Sequence, residues 1–153
     1  MKQDLEKAIV SYLDTHRHMA LATVSEDGSA HISTVSYVSQ GLDIYFMTDP
    51  SSRKAKNIAF CNKIAIAIGE DYLDWDEIKG VHLSGTVEWI KDATDLKRVQ
   101  KMYADKFPQV HKFLSGYGAG VTIDIIPFLK ITPKAIDYLD YSKGFNHWDT
   151  LVV

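Results

Sequence analysis

The sequence predicts a mainly β protein with flanking α-helices, a small antiparallel barrel of six to seven strands in a single domain spanning residues 1–153. Three observations carry this reading. Short apolar alternations are joined by tight turns at Asp27-Gly28 and Gln40-Gly41, and strands linked by two-residue turns run antiparallel. Helical periodicity interrupts the strand series instead of alternating with it, which argues against a doubly wound sheet. The 153 residues, 46% of them hydrophobic, suit one domain. A chain of this size hides roughly 68–70% of its unfolded surface, enough for a core without cross-links.

Leu5, Ala8, Ile9, Tyr12 and Leu13 fall at helical spacing, so residues 4–17 form an opening amphipathic helix. Met19–Val24 is the first strand. His31–Ser39 is the second, with Ile32 and Val38 on one face and Val35 and Tyr37 on the other. Leu42–Thr48 is the third. Asp49-Pro50-Ser51-Ser52 breaks the β pattern, and Pro50 and the serines open a helix to about Phe60. In the fourth strand, Lys63–Gly69, isoleucines alternate with alanines, so both faces are dry or nearly so. An acidic loop from Glu70 to Gly80 leads to the fifth strand, Val81–Lys91. Asp92 or Thr94 caps a helix carrying Leu96, Val99, Met102 and Tyr103, which Pro108 interrupts. Beyond the Gly116–Gly120 connection, Val121–Ile131 and Ala135–Tyr141 are expected as two strands separated at Pro133. Ser142–Val153 forms a tail.

The formal charge of −3 gives no global attraction to nucleic acid. One cysteine excludes an intrachain disulfide and a four-cysteine zinc site. No apolar run approaches the ~18 residues of a membrane span, and the N-terminus lacks an apolar signal core. A cytoplasmic protein without membrane or nucleic-acid partners is expected. The six histidines lack metal-ligand spacing; His16 and His18 read as an exposed helix end. Cys61 reads as a small buried hydrophobe. Asp71, Asp74, Asp76 and Glu77 read as a solvated loop, and Gly116–Gly120 follows a helix rather than a strand, unlike a dinucleotide-binding turn.

The chemistry concentrates between Thr48 and Asn57. A strand ends, the chain turns, and a helix begins with Ser51, Ser52, Arg53, Lys54 and Lys56. Free amides at a helix start attract an anion, and Arg53 can grip two phosphate oxygens at once. Cations at a helix start oppose the helix dipole, a placement that suits a bound anion between them. Spacing alone leaves two readings open: a phosphate site, or a solvated basic helix face with an ordinary serine cap.

Several stretches together carry a family resemblance. They are Leu21-Ala22-Thr23-Val24 with Asp27-Gly28 and His31-Ile32-Ser33-Thr34-Val35, and Ile44-Tyr45-Phe46-Met47-Thr48 with Ser52-Arg53-Lys54 and Asn57. Ile64-Ala65-Ile66-Ala67-Ile68 and Leu83-Ser84-Gly85-Thr86-Val87 follow in the same order. Over about residues 5–105 the sequence resembles the pyridoxamine 5′-phosphate oxidase-like family of FMN-binding split barrels. The resemblance implies a split β-barrel that forms a homodimer, with an FMN in each of two interface grooves. It implies that Thr48, Ser52, Arg53 and Lys54, with Met47 beside them, hold the flavin phosphate. His31, Ser33, Thr34, Val35 and Ser36 match the strand that runs beside the ring and phosphate. The implied activity is hydride transfer through the flavin, with a small-molecule substrate or a reduced nicotinamide. A non-enzymatic flavin-binding or storage protein is the alternative, as is the same groove holding haem or a deazaflavin. No residue is forced as a catalytic acid or base.

The departures from the family matter too. Its vitamin B6 oxidases place an arginine and a lysine on the second strand, a glutamine early in the fifth, and an arginine-rich motif at the end. Here His31–Ser36 has neither cation, Lys79-Gly80-Val81 has no glutamine, and no arginine follows Arg98. Efficient vitamin B6 oxidation is therefore not expected. The Lys143–Trp148 tail lies either over the flavin ring or in dimer packing.

Overall fold

A computed structural model describes residues 1–153. The chain order is α1 (Lys2–Thr15), β1 (His18–Val24), β2 (Ala30–Ser36), β3 (Val38–Gln40), β4 (Asp43–Met47), α2 (Arg53–Phe60) and β5 (Lys63–Gly69). It continues with β6 (Lys79–Trp89), α3 (Ala93–Lys106), α4 (Val110–Ser115), β7 (Phe128–Asp140) and β8 (Trp148–Val152). All eight strands join one antiparallel sheet in the order β2-β1-β5-β6-β7-β4-β3, with β8 also paired to β7. The sheet's two ends, β2 and β3, are separated in sequence by Tyr37 alone, so the sheet curls until its edges meet there. Tyr37 is fully buried; its hydroxyl donates to the Leu13 carbonyl at 2.7 Å and its amide to Arg17 at 3.0 Å. This is the split barrel with flanking helices that the sequence implied.

The main core lies inside the curl and is closed at one end by Ile9, Tyr12 and Leu13 of α1. A smaller core forms where α3 and α4 bring Val99, Tyr103, Phe107, Val110 and Leu114 against Val38, Tyr45 and Phe128. On β5, Ile64, Ile66 and Ile68 point into the main core. Ala65 and Ala67 are exposed on the outer face, so this chain by itself buries only one side of that strand.

Five expectations need correction. The second predicted strand divides at Tyr37, because that side chain turns into the core as the chain passes from one sheet edge to the other. Residues 121–127 are turn and 3₁₀ structure rather than strand. There Gln100 Nε2 donates to the carbonyls of Asp124 and Ile126 at 3.3 and 2.9 Å, occupying acceptors that a ladder would use. Pro133 does not end a strand: β7 runs straight through it. The register with β6 shifts between Ser84 and Gly85, opposite Pro133, where a missing amide costs no ladder bond. The tail supplies β8, whose Thr150 hydroxyl donates to Asp137 at 2.6 Å. His16 is also not a free helix end. Its ring stacks on Tyr12 with centroids 3.8 Å apart, and its nitrogens meet the Tyr12 carbonyl and Glu70, each at 2.7 Å.

Lys106, at the end of α3, ties that helix to the end of α1. Its ammonium donates to the His16 carbonyl at 2.6 Å and lies 4.3 Å from the centre of the Tyr37 ring. Burial pushes its pKa down to about 8. An unfolded lysine titrates near about 10.4, so between these values the unfolded chain binds more protons than the native one. The Lys106 contribution to stability therefore rises with pH from about 8 toward about 10.4 and is lost as pH falls back through 8. Urea unfolding across this window is expected to show that rise, and Lys106→Met is expected to flatten it relative to wild type.

Candidate functional site

The start of α2 is built by its own turn. The Asp49 carboxylate accepts from the Ser51 amide at 2.8 Å and from the Ser51 hydroxyl at 2.7 Å. Those bonds, with Lys54 nearby, hold the carboxyl below the usual carboxylate range. Ser52 follows in an extended conformation and caps the helix, its Oγ accepting from the Ala55 amide at 3.2 Å and lying 3.0 Å from Thr48 Oγ1. The amides of Arg53 and Lys54 have no protein partner, as first-turn amides lack one within the helix. Neither of their side chains forms an ion pair. Two cations thus stand at a positive helix end without a salt bridge, and the Asp49 and Asp27 carboxylates, engaged with Ser51 and Ser29, act on them only through space.

A buried polar contact anchors α2 to the sheet. Asn57 Nδ2 donates to Thr23 Oγ1 of β1 at 3.0 Å, and the two residues are 6% and 1% exposed. Thr23 pairs in register with His31 of β2, and Leu21 pairs with Ser33. His31 and Ser33 therefore share the inward face on which α2 sits. His31 Nδ1 and Ser33 Oγ are both buried and have no hydrogen-bond partner. Buried polar atoms in native proteins are nearly always paired, so two orphans on one strand need a reason. On the adjoining hairpin, Asp27 is held below the usual carboxylate range by bonds to Ser29, with Arg53 adding its charge. The tip of the β1–β2 hairpin and the start of α2 therefore lie close together. The outer edge of β2 is unpaired along its length, which leaves backbone donors and acceptors open beside the hairpin and the helix start.

The structure gathers Thr48, Ser52, Arg53, Lys54, His31 and Ser33 at this end. It sets others apart. Val35 is 7% exposed and belongs to the main core, and Met47 packs against the smaller core, so both side chains serve packing. Thr34 is exposed on the opposite face from His31. Ser36 lies at the far end of β2, roughly 17 Å from His31 at about 3.4 Å per residue, and its hydroxyl meets His18 Nδ1 at 3.0 Å. Sequence reasoning missed the anchoring role of Asn57 and the competing carboxylate of Asp49. The signal for Asn57 is a polar residue between Ala55 and Ile58 on a helix face that is otherwise apolar.

Residues 5–139 match the family model described as pyridoxamine 5′-phosphate oxidase. The chain belongs to this family. No curated protein matches it. Solved structures share the family fold at low identity. A conserved hypothetical protein from Mycobacterium tuberculosis is 19% identical over 94% of this chain and 90% of its own, with a TM-score of 0.75. General stress protein 26 from Bacillus anthracis is 20% identical over 97% and 98%, with a TM-score of 0.71. The haem storage protein HutZ from Vibrio cholerae is 14% identical over 97% and 94%, with a TM-score of 0.67. Proteins that share this fold thus include a general stress protein and a haem storage protein. No helix of the chain is long and apolar enough to cross a membrane.

Proposed function

We propose that the protein is an FMN-binding oxidoreductase acting as a homodimer. The observation that carries this reading is the pair of orphaned atoms, His31 Nδ1 and Ser33 Oγ, beside a serine-capped helix start with two unpaired cations. The residues fit the group. Arg53 would hold two phosphate oxygens, Lys54 would add a point charge, and the free amides and the Thr48 and Ser52 hydroxyls would complete the donor set. Ser33 and the unpaired edge of β2 would orient the ring. When bound, the flavin supplies hydride exchange at its ring. This chain's residues bind it, orient it and keep water from it.

The second copy would cover the outer face where Ala20, Ala22, Ala65 and Ala67 are open, with Ile32 at 69% exposure. Such a contiguous apolar surface is a typical subunit contact. Light scattering at micromolar protein is expected to give twice the 17.2 kDa chain mass. The monomer mass would remove the two-subunit groove from this reading.

A small substrate without its own phosphate fits best. Arg53 is committed to the cofactor, and Arg98 is bonded to Gln40 and Asp95. The second reading is haem binding, favoured by the likeness to HutZ. Native mass spectrometry of the purified protein separates flavin from haem. Steady-state oxidation of reduced nicotinamide, with and without added FMN, then separates an enzyme from a storage protein.

A further inference from the structure

We propose that His31 is a proton-operated ligand for the cofactor phosphate, so that the protein holds FMN more tightly as the pH falls through the imidazole range. The inference rests on the FMN reading above and adds the regulation of that site.

His31 stands on the inner face of edge strand β2, directly across from Thr23, whose hydroxyl is bonded to Asn57 of α2. This places His31 beside the residue that seats α2, the helix whose first turn carries the free amides and the two cations. Nδ1 is shut off from solvent and unpartnered. The charged groups around it are few. Asp27 on the hairpin is engaged with the Ser29 amide at 2.9 Å and lies close enough to Arg53 to feel its charge. On α2 there are Arg53 and Lys54, and in the preceding turn Asp49 is engaged with Ser51. The facing residues of β1, Thr23 and Leu21, are neutral. No carboxylate or carbonyl of the protein accepts a hydrogen bond from this ring; a phosphate would.

Proton binding and phosphate binding are then linked, and each strengthens the other by the same factor. Imidazoles change charge near about pH 6.5, and a phosphate monoester gains its second charge near about pH 6. The coupling is therefore read by titrations on either side of the general imidazole value. A permanent cation at this position would bind without it.

The test titrates FMN and riboflavin into flavin-free protein by fluorescence quenching at about pH 8, 7 and 6. It compares wild type, His31→Gln and His31→Arg, each checked for fold by circular dichroism. Wild type is expected to exceed His31→Gln in FMN affinity by no more than about threefold near pH 8 and by about tenfold or more near pH 6, the scale of one charge-assisted hydrogen bond. His31→Arg is expected to lack the rise in affinity that wild type shows on acidification. Riboflavin is expected to show no pH-dependent difference among the three. A wild-type pH profile parallel to those of both variants overturns the inference and leaves the FMN reading standing. Failure of wild type to bind FMN at every pH overturns both. If His31→Gln does not fold, the wild-type profile against His31→Arg decides alone.

Discussion

Replacing Arg53 with alanine is expected to weaken FMN binding by about 10- to 150-fold while leaving riboflavin binding almost unchanged. The range follows from a charge-assisted hydrogen bond being worth roughly 1.5–3 kcal/mol. Arg53 forms no ion pair within the protein, and its nearest identified acid, Asp27, is engaged with Ser29. Its removal therefore breaks no internal pair, and stability should move little. Riboflavin lacks the phosphate, so the ratio of the two affinities isolates the anion contact from the ring contact. Fluorescence titration of both flavins against wild type and Arg53→Ala measures this directly. Identical curves for FMN and riboflavin with the wild-type protein would remove the phosphate site altogether.

Gly85→Ala is expected to be the most damaging small substitution in the fold. A Cβ at Gly85 would lie 2.3 Å from the Thr132 carbonyl oxygen and 3.1 Å from the Pro133 Cα. Both are backbone atoms of β7, which pairs with β6 at the middle of the sheet, so no side chain can swing aside. Relief requires parting the strands at their register shift. Overpacking of this kind costs about 3 kcal/mol or more. For a chain of this size that lowers Tm by roughly 6–12 °C. Gly28→Ala is the control: its φ of +85° strains an alanine, but no atom lies within 4 Å of the added carbon. Thermal melts followed by circular dichroism should rank the two clearly. A Gly85→Ala melt within about 2 °C of wild type would contradict the close approach.

Gly85 also marks the boundary of what could be read from the sequence. Local signals worked where one residue type dictates local geometry. Asp27-Gly28 and Gln40-Gly41 announced their turns, and the alternating isoleucines of β5 announced its buried face. Ser52 announced the cap of α2. The failures are places where a distant partner decides. Pro133 breaks a strand on local grounds, yet β7 passes through it because the shift opposite, at Gly85, removes the need for its amide. Residues 121–127 have strand composition, but Gln100 reaches across from α3 and takes their carbonyls. β8 is only five residues long and becomes a strand only because β7 offers it an edge. At the site, the cations and hydroxyls of residues 48–54 were legible as one cluster. That His31 and Ser33 face inward and lack partners was not, because it depends on the β1–β2 register and on the Asn57–Thr23 bond that seats the helix.

The open edge of β2 has a cost for the protein as it is made. Many proteins protect such an edge with a lysine, a proline or an inward charge. The sequence Ala30-His31-Ile32-Ser33-Thr34-Val35-Ser36 contains no proline and no permanently charged residue, and Ile32 stands exposed on it. Until a ligand or a partner chain occupies that edge, it is a template for strand addition between molecules. Newly synthesised protein with that edge unoccupied should therefore be lost to aggregation first through this strand, and supplying the proposed FMN during expression should raise the soluble yield more than it raises the melting temperature of protein already folded.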